Sequence, residues 1–328
     1  MAHKHKMRIA GLVMISTIWA SSGPLIAASA LGPNCEDVNQ SRPVIECQMD
    51  GSTVLKHISG LGVEKPEKGS ALEQIVEYKD GNWAKFRATT DKAGSVTTFF
   101  EQSEGSNTEI QLEASDQIPG LSSSNCGSAS YNKKFPWSPN QPTEWWYRYA
   151  DQPDSNSLPR IKEAFATWSK GANRCNSTLV PTSFKSTYMG LTTLALPYND
   201  DQSSANFGAC KSPGSKDMVG WAVLPIDVLA RTCTTYYVLF NIQISPSRSS
   251  VILSSNTNWY ASLDVTGCTG EKFDLKAVAT HEFGHVLGLD HYTHEGQVMT
   301  PYSDFCGVDQ RGLGYGDVHG VADKYPAS

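Results

Sequence analysis

Apolar and polar positions follow three different rhythms along this chain. The first is a short block: Ile9–Ala20 is an apolar run, preceded by Lys4, Lys6 and Arg8 and followed by the small-residue box Ala28-Ser29-Ala30. The run is too short to span a bilayer comfortably and is followed closely by Gly23 and Pro24, so residues 1–30 are expected to be a cleavable export leader. The second rhythm is alternation. IVEYK and NWAKFRA flank Asp80-Gly81, a two-residue hairpin signal, and VTTFFEQ and TEIQLEA continue the period of two, which predicts a small β-rich unit over residues 31–116. A Ser-rich, proline-punctuated stretch, 117–142, then reads as a linker and as a natural place for proteolytic processing.

The third rhythm opens a larger domain, 143–328. Over Leu158–Lys170 the period becomes helical, with Ile161, Ala164, Phe165 and Trp168 on one face. MVGWAVL, TTYYVLFNIQIS and VILSS then read as strands of one sheet joined by polar loops. A last well-marked helix begins at Asp274, a residue suited to capping, and carries Leu275, Val278, Ala279, Phe283, Val286 and Leu287 as its apolar positions. The aromatic cluster Trp137, Trp145, Trp146, Tyr147 and Tyr149 reads as a strand packing into a core rather than a carbohydrate platform.

Composition adds limits rather than identity. The chain has 328 residues, 39% of them hydrophobic and 18% charged, an ordinary globular make-up with room for two domains. A formal charge of −6 and a pI near 5.8 give no reason to expect a nucleic-acid partner, and no membrane attachment is expected once the leader is cut. Eight cysteines fit an exported protein in an oxidising compartment: secreted, or held in a periplasm or at a cell surface. Cys35 and Cys47 precede the linker and six follow, so each part can close its own bridges. Cys35–Cys47 is the expected pair; the others stay open.

The chemistry is concentrated in THEFGHVLGLDHYTHEGQVMTP, from Thr280 to Pro301. His281 and His285 stand four apart, so on a helix both imidazoles leave one face. Gly288 can take the left-handed turn that ends the helix, and the reversed chain can return His291 as a third nitrogen donor. Three imidazoles with one position open is a catalytic zinc arrangement, and Glu282, beside the first histidine, is the general base such a site needs. His3 and His5 fall in the leader, and no histidine lies between His57 and His281, which rules out a second zinc held by histidines of that region. His294 and His319 are expected to be solvent-facing or packed. Calcium is possible through oxygen donors expected in loops, Asn199, Asp200, Asp201 and Asp217, though without a recognised loop spacing.

At these residues the chain resembles the metzincin peptidases, and the matrixins most closely. FDLKAVATHEFGHVLGLDH, from Phe273 to His291, is similar to the matrixin active-site helix with its lead-in. Met299 follows His291 by eight residues, as the Met-turn does, and LGYGDVHGVADKY resembles the closing helix. WWYRYADQ followed by IKEAFATW resembles the opening strand and first helix. The resemblance implies an α+β fold: a metzincin-type catalytic domain with a twisted mixed sheet, active-site helix, Met-turn and C-terminal helix, here preceded by the small β-rich unit. It implies one catalytic Zn2+ and a protein or peptide substrate laid antiparallel on an edge strand, for which the Leu229–Tyr237 region is the expectation. Met299 becomes an apolar floor under the ligands, and Pro301 with Tyr302 becomes the wall of a substrate pocket. In matrixins a free cysteine in an N-terminal segment blocks the zinc. The string that carries it, PRCGxPD, is absent here, and the nearest candidate, Cys126, is expected in a disulfide instead. Tyr292 and Gly316 depart from the family pattern, the latter from an acidic residue that pairs with the freed amino terminus. The expected function is that of an exported zinc endopeptidase; the alternative is a zinc-stabilised binding or adhesion protein on the same fold.

Overall fold

A computed structural model describes residues 35, 38–49, 52–103, 129–134, 143–171, 182–204, 207–212, 214–239, 242–292, 296–301 and 304–327. The expected leader, the TEIQLEA segment, Cys126, Trp137, His294 and Tyr302 lie outside the described residues.

In chain order the strands begin with β1 (Val44–Met49), β2 (Ser52–His57), β3 (Gly62–Glu64), β4 (Ser70–Tyr78), β5 (Trp83–Thr90) and β6 (Val96–Gln102). Then come β7 (Asn132–Lys133), β8 (Thr143–Arg148), helix α1 (Ser157–Lys170), β9 (Ser186–Thr192), β10 (Asp217–Ala222), β11 (Val228–Leu239) and β12 (Ile242–Ser254). The chain closes with β13 (Trp259–Tyr260), β14 (Phe273–Asp274), α2 (Leu275–Val286), β15 (Leu289–Asp290), a 3-10 turn at Asp309–Arg311 and α3 (Tyr315–Lys324).

The expected α+β architecture is present. One mixed sheet runs β6-β5-β4-β11-β12-β10-β8-β9, parallel from β9 across to β12 and antiparallel from β12 to β6. The β4–β5 hairpin forms at Asp80-Gly81, where Gly81 has φ +78° as the turn requires. The N-terminal strands do not fold as a sheet apart. β1, β2 and β3 make their own layer, stapled by Cys35–Cys47, but β4 pairs with β11 over nearly its whole length and so extends the sheet of the larger half.

The two faces of β4 explain its buried polar residues. On one face Leu72 and Val76 enter an apolar cluster with Val63, Phe86, Leu224 and Ile252. The opposite face carries Glu73 and Glu77, both buried. Buried acids must be paired, and Glu73 is: it takes Lys134 at 2.8 Å, Arg87 at 3.4 Å and the Tyr236 hydroxyl at 3.0 Å. Nearby, buried Lys85 on β5 pairs with Asp290 at 2.6 Å and Glu101 at 2.7 Å.

Two sequence expectations change. TTYYVLFNIQIS, read as one strand, is the end of β11 and the start of β12, an antiparallel pair. The sequence offers no glycine or proline between Leu239 and Ile242 to mark the break. Asp217, read as a loop residue, opens β10, and its Oδ1 accepts from the Ser249 amide at 2.8 Å. The aromatic strand packs as expected: Trp145 and Tyr147 are buried in the core with Phe165, Trp168 and Phe283, while Tyr149 is exposed.

The ion pairs that bridge the two halves carry a pH signature. Burial alone would raise the Asp290 carboxyl, but Lys134 and Lys85 outweigh it and hold it well below its ordinary 3.8. A depressed folded-state pKa contributes stability above the unfolded value and loses it as pH falls through the folded one. Asp290→Asn is therefore expected to destabilise by about 3 kcal/mol or less at neutral pH, Lys85 keeping Glu101. The gap in melting temperature between wild type and variant should narrow as pH drops below 3.8. A gap that stays constant down to pH 2 would refute the assignment.

Candidate metal centre

Helix α2 starts where the sequence says it should. Asp274 accepts the Ala277 amide at 2.8 Å and is also gripped by Arg311, through Nε at 2.9 Å and Nη2 at 2.5 Å. The helix is then buried all round, with every residue but Lys276 in the interior. α1 packs against it: Trp168 Nε1 donates to the Thr280 carbonyl at 2.8 Å, and Phe165 stacks on Phe283 with centroids 3.4 Å apart. A helix clamped in this way can hold two side chains to within small tolerances.

His281 and His285 leave one face as the four-residue spacing predicts. Each ring is fixed by its Nδ1, His281 to the Val298 carbonyl at 2.7 Å and His285 to the Leu289 carbonyl at 3.1 Å, which turns Nε2 inward. Gly288 stands at φ +87°, so the chain reverses there and β15 returns alongside β7, with the Lys134 amide donating to the Gly288 carbonyl at 2.7 Å. This delivers His291. Its Nε2 lies 3.3 Å from that of His281 and 3.2 Å from that of His285.

Those separations test the fit to zinc. Zn–N bonds of about 2.0–2.1 Å in tetrahedral array put neighbouring nitrogens about 3.3–3.4 Å apart. The two separations from His291 meet that spacing, and ring nitrogens facing one another without a cation would gain nothing from it. The residues fit the ion. Together with Glu77 they form a group of four buried donors within 4.8 Å of one another, the one cluster of at least three candidate ligands among the described residues. Asn199, Asp201 and Asp217 form no such group; Asn199 and Asp201 oxygens cap turn amides at Asp201 and Ser203 instead.

Glu77 was not foreseen. It comes from β4, and its Oε1 is in contact with His291 Nε2 and lies 3.4 Å and 3.5 Å from Nε2 of His281 and His285. Trp83, its partner across the hairpin, packs on His291 with ring centroids 4.5 Å apart. Alternation in IVEYK puts residues 75, 77 and 79 on one face, but nothing local says which strand β4 will join.

Glu282 is fully buried beside the ligands. Thr232 on β11 donates to its Oε2, whereas Oε1 has no hydrogen-bond partner. Burial first, and then the Glu77 charge, push its carboxyl up to about 8. Burial depresses the His281 ring, but Glu77 outweighs that by charge and hydrogen bond and the ring titrates at about 9.

Met299 is buried against α2 at Gly284, between the two helix histidines. A Cβ on Gly284 would run into Met299 Sδ and Trp168, so glycine is the residue that lets the methionine approach. The turn carrying Met299 hangs on Asp317, an α3 carboxylate that accepts the amides of Val298 at 2.6 Å, Met299 at 3.2 Å and Gly314 at 2.8 Å. Sequence reading passed over Asp317 and Thr232, whose signal lies only in their contacts. Gly316, where an acid was expected from the family pattern, backs onto the Ser130 carbonyl and Gln297, which leaves no room for a side chain. Pro301 lines a small cleft beside the ligands with Leu229, Val278, His281, Glu77 and Tyr78. His319 stacks on Tyr315, away from the cluster. The loop beyond Pro301 is tied down by Cys268–Cys306, and Cys210–Cys233 pins the 198–210 loop to β11.

With the sheet, the buried ligand helix and the methionine floor in view, the class is that of a metzincin-type zincin. The matrixin family model matches residues 137–326, more than half of the chain, and the chain belongs to that family, whose members use catalytic zinc. Metalloendoproteinase 1-MMP of Arabidopsis thaliana is 39% identical over 57 residues, which is 17% of this chain and 16% of that protein, so the match spans well under two thirds of the relative. Metalloproteinase-II of Bacteroides fragilis aligns over 88% of this chain and 84% of its own, at 11% identity and a TM-score of 0.30.

Two substitutions probe the site's support. Gly284→Ala should overpack the floor and lower stability by about 1–3 kcal/mol, read by thermal melting. Asp317→Ala leaves the Val298 and Met299 amides buried and unpaired, a loss on the order of 2–4 kcal/mol, and should weaken zinc binding as well. Unchanged zinc affinity would detach Asp317 from the site.

Proposed function

We propose that the protein is an exported zinc-dependent endopeptidase, with His281, His285 and His291 as zinc ligands and Glu282 as general base. The observation that carries this reading is the convergence of three buried ring nitrogens, those of His281 and His285 lying 3.3 Å and 3.2 Å from that of His291, next to a buried carboxylate that has one oxygen without a partner. When bound, zinc supplies Lewis acidity toward water and the scissile carbonyl and brings the pKa of that water towards neutrality.

The remaining work falls to side chains. Thr232 engages Glu282 Oε2, leaving Oε1 to take the proton of the attacking water and return it to the departing amine. Met299 contributes an apolar floor and no ligand. The substrate lies extended along β11, held by main-chain hydrogen bonds, and its side chain beyond the cut enters the cleft bordered by Leu229, Val278 and Pro301. Export is supported by the leader pattern and by the three described cystines, and no described helix is long and apolar enough to cross a membrane. The reading assigns residues 31–116 to a propeptide or accessory unit and 143–328 to catalysis.

A second reading has an observation of its own. Four protein donors close a zinc site, and closed sites are structural. A zinc-stabilised binding protein would, however, have no use for a buried carboxylate at 282. The processed, secreted protein is expected to cleave casein or a quenched peptide, to lose this with a chelator and to regain it with zinc. Glu282→Ala should lower the rate by at least 10²–10⁴-fold with zinc content unchanged. Activity that survives the substitution would remove Glu282 from the mechanism.

A further inference from the structure

We infer that Glu77 is a fourth zinc ligand delivered by the N-terminal unit, and that β4 occupies the substrate's own track along β11, so that the full chain is latent. This rests on the peptidase reading above and adds its regulation.

Position is the first argument. Glu77 is 5% exposed, and its Oε1 touches His291 Nε2 and lies 3.4 Å and 3.5 Å from Nε2 of His281 and His285, so a carboxylate oxygen faces the same point as the three rings. The four donors lie within 4.8 Å of one another and form the one such cluster among the described residues. Imidazole and carboxylate are both ordinary zinc ligands.

Direction is the second argument. β4 runs antiparallel to β11, from Val228↔Tyr78 to Tyr237↔Ser70, and takes the main-chain groups a peptide would need. Tyr78, one residue beyond Glu77, borders the cleft formed by Leu229, Val278 and Pro301, where the side chain after a scissile bond would sit. What reaches the ligands is the Glu77 side chain and not a peptide carbonyl, so the strand fills the site without offering a bond to cut. The clamp is reinforced on both flanks, by Lys85–Asp290 and by Lys134–Glu73.

The role that matrixins give to a cysteine would thus fall here to a carboxylate. A thiolate-to-zinc bond is opened by oxidants and mercurials; a carboxylate is indifferent to both, and release depends on detaching the strand.

Cobalt-substituted full-length protein gives a readout that does not depend on turnover. With cobalt(II) in place of zinc, the wild-type visible spectrum should be unaffected by acetohydroxamate. Glu77→Ala should shift the spectrum and make it titrate with acetohydroxamate, and its zinc affinity should fall roughly tenfold or more, the scale on which even outer partners act. Glu77→Gln, which keeps the shape, guards against misfolding and should behave as Glu77→Ala does. Glu46→Ala, in an acid on β1 that pairs with Lys65 and not with the clamp, should leave the wild-type spectrum intact. A Glu77→Gln protein that is folded and spectrally identical to wild type would overturn the inference while leaving the peptidase reading standing. Failure of the wild type to take up one metal through His281 would sink both.

Discussion

Everything in this molecule answers to the need to hold three buried imidazole nitrogens facing one point. Left alone, such rings would turn away from one another. They are prevented by main-chain carbonyls, Val298 for His281 and Leu289 for His285, which hold the outer nitrogens so that the inner ones converge. Those carbonyls are themselves fixed: the Val298 carbonyl also accepts Gln310, and the Val298 amide is held by Asp317. Ring, turn and closing helix form one chain of hydrogen bonds. The burial of α2 on every side, with Phe283 against Phe165 and Gly284 over Met299, gives that chain something rigid to hang from.

The second constraint is electrostatic. Few proteins bury Glu73, Glu77, Glu282, Lys85 and Asp290 within one region without a reason, because each ion must recover its lost hydration from a partner. Glu73 and Asp290 recover it from lysines that reach across between the N-terminal strands and the larger half. Glu77 instead faces His281, His285 and His291, and Glu282 is held by Thr232. The arrangement makes the N-terminal strands part of the metal centre's electrostatics as well as part of its sheet.

What the sequence disclosed divides along locality. The ligand helix, its Asp274 cap, the reversal at Gly288, the hairpin at Asp80-Gly81 and the strand Val96–Gln102 are written in neighbouring residues, and they could be read there. The Cys35–Cys47 bridge followed from parity within a short segment. The break between β11 and β12 was hidden because no glycine or proline lies between Leu239 and Ile242 to interrupt an apolar run. β4 was read as IVEYK and not from Ser70, since buried Glu73 and Gln74 look like solvent-facing residues until their partners are known. Glu77 lies more than 200 residues from the histidines it meets, as the separation of 214 to His291 makes plain. No periodicity encodes that pairing; it exists only once β4 has found β11.

That pairing has a bearing on how the protein survives before it works. β11 is hydrogen-bonded on both sides, and without β4 its twelve residues would present a long bare rim, with Tyr237 and Leu239 already at the surface. Naked rims of that kind recruit other chains and seed aggregates. The N-terminal strand therefore shields a sticky margin for as long as it stays paired, and its loss would open that margin to any extended chain that can complete the ladder.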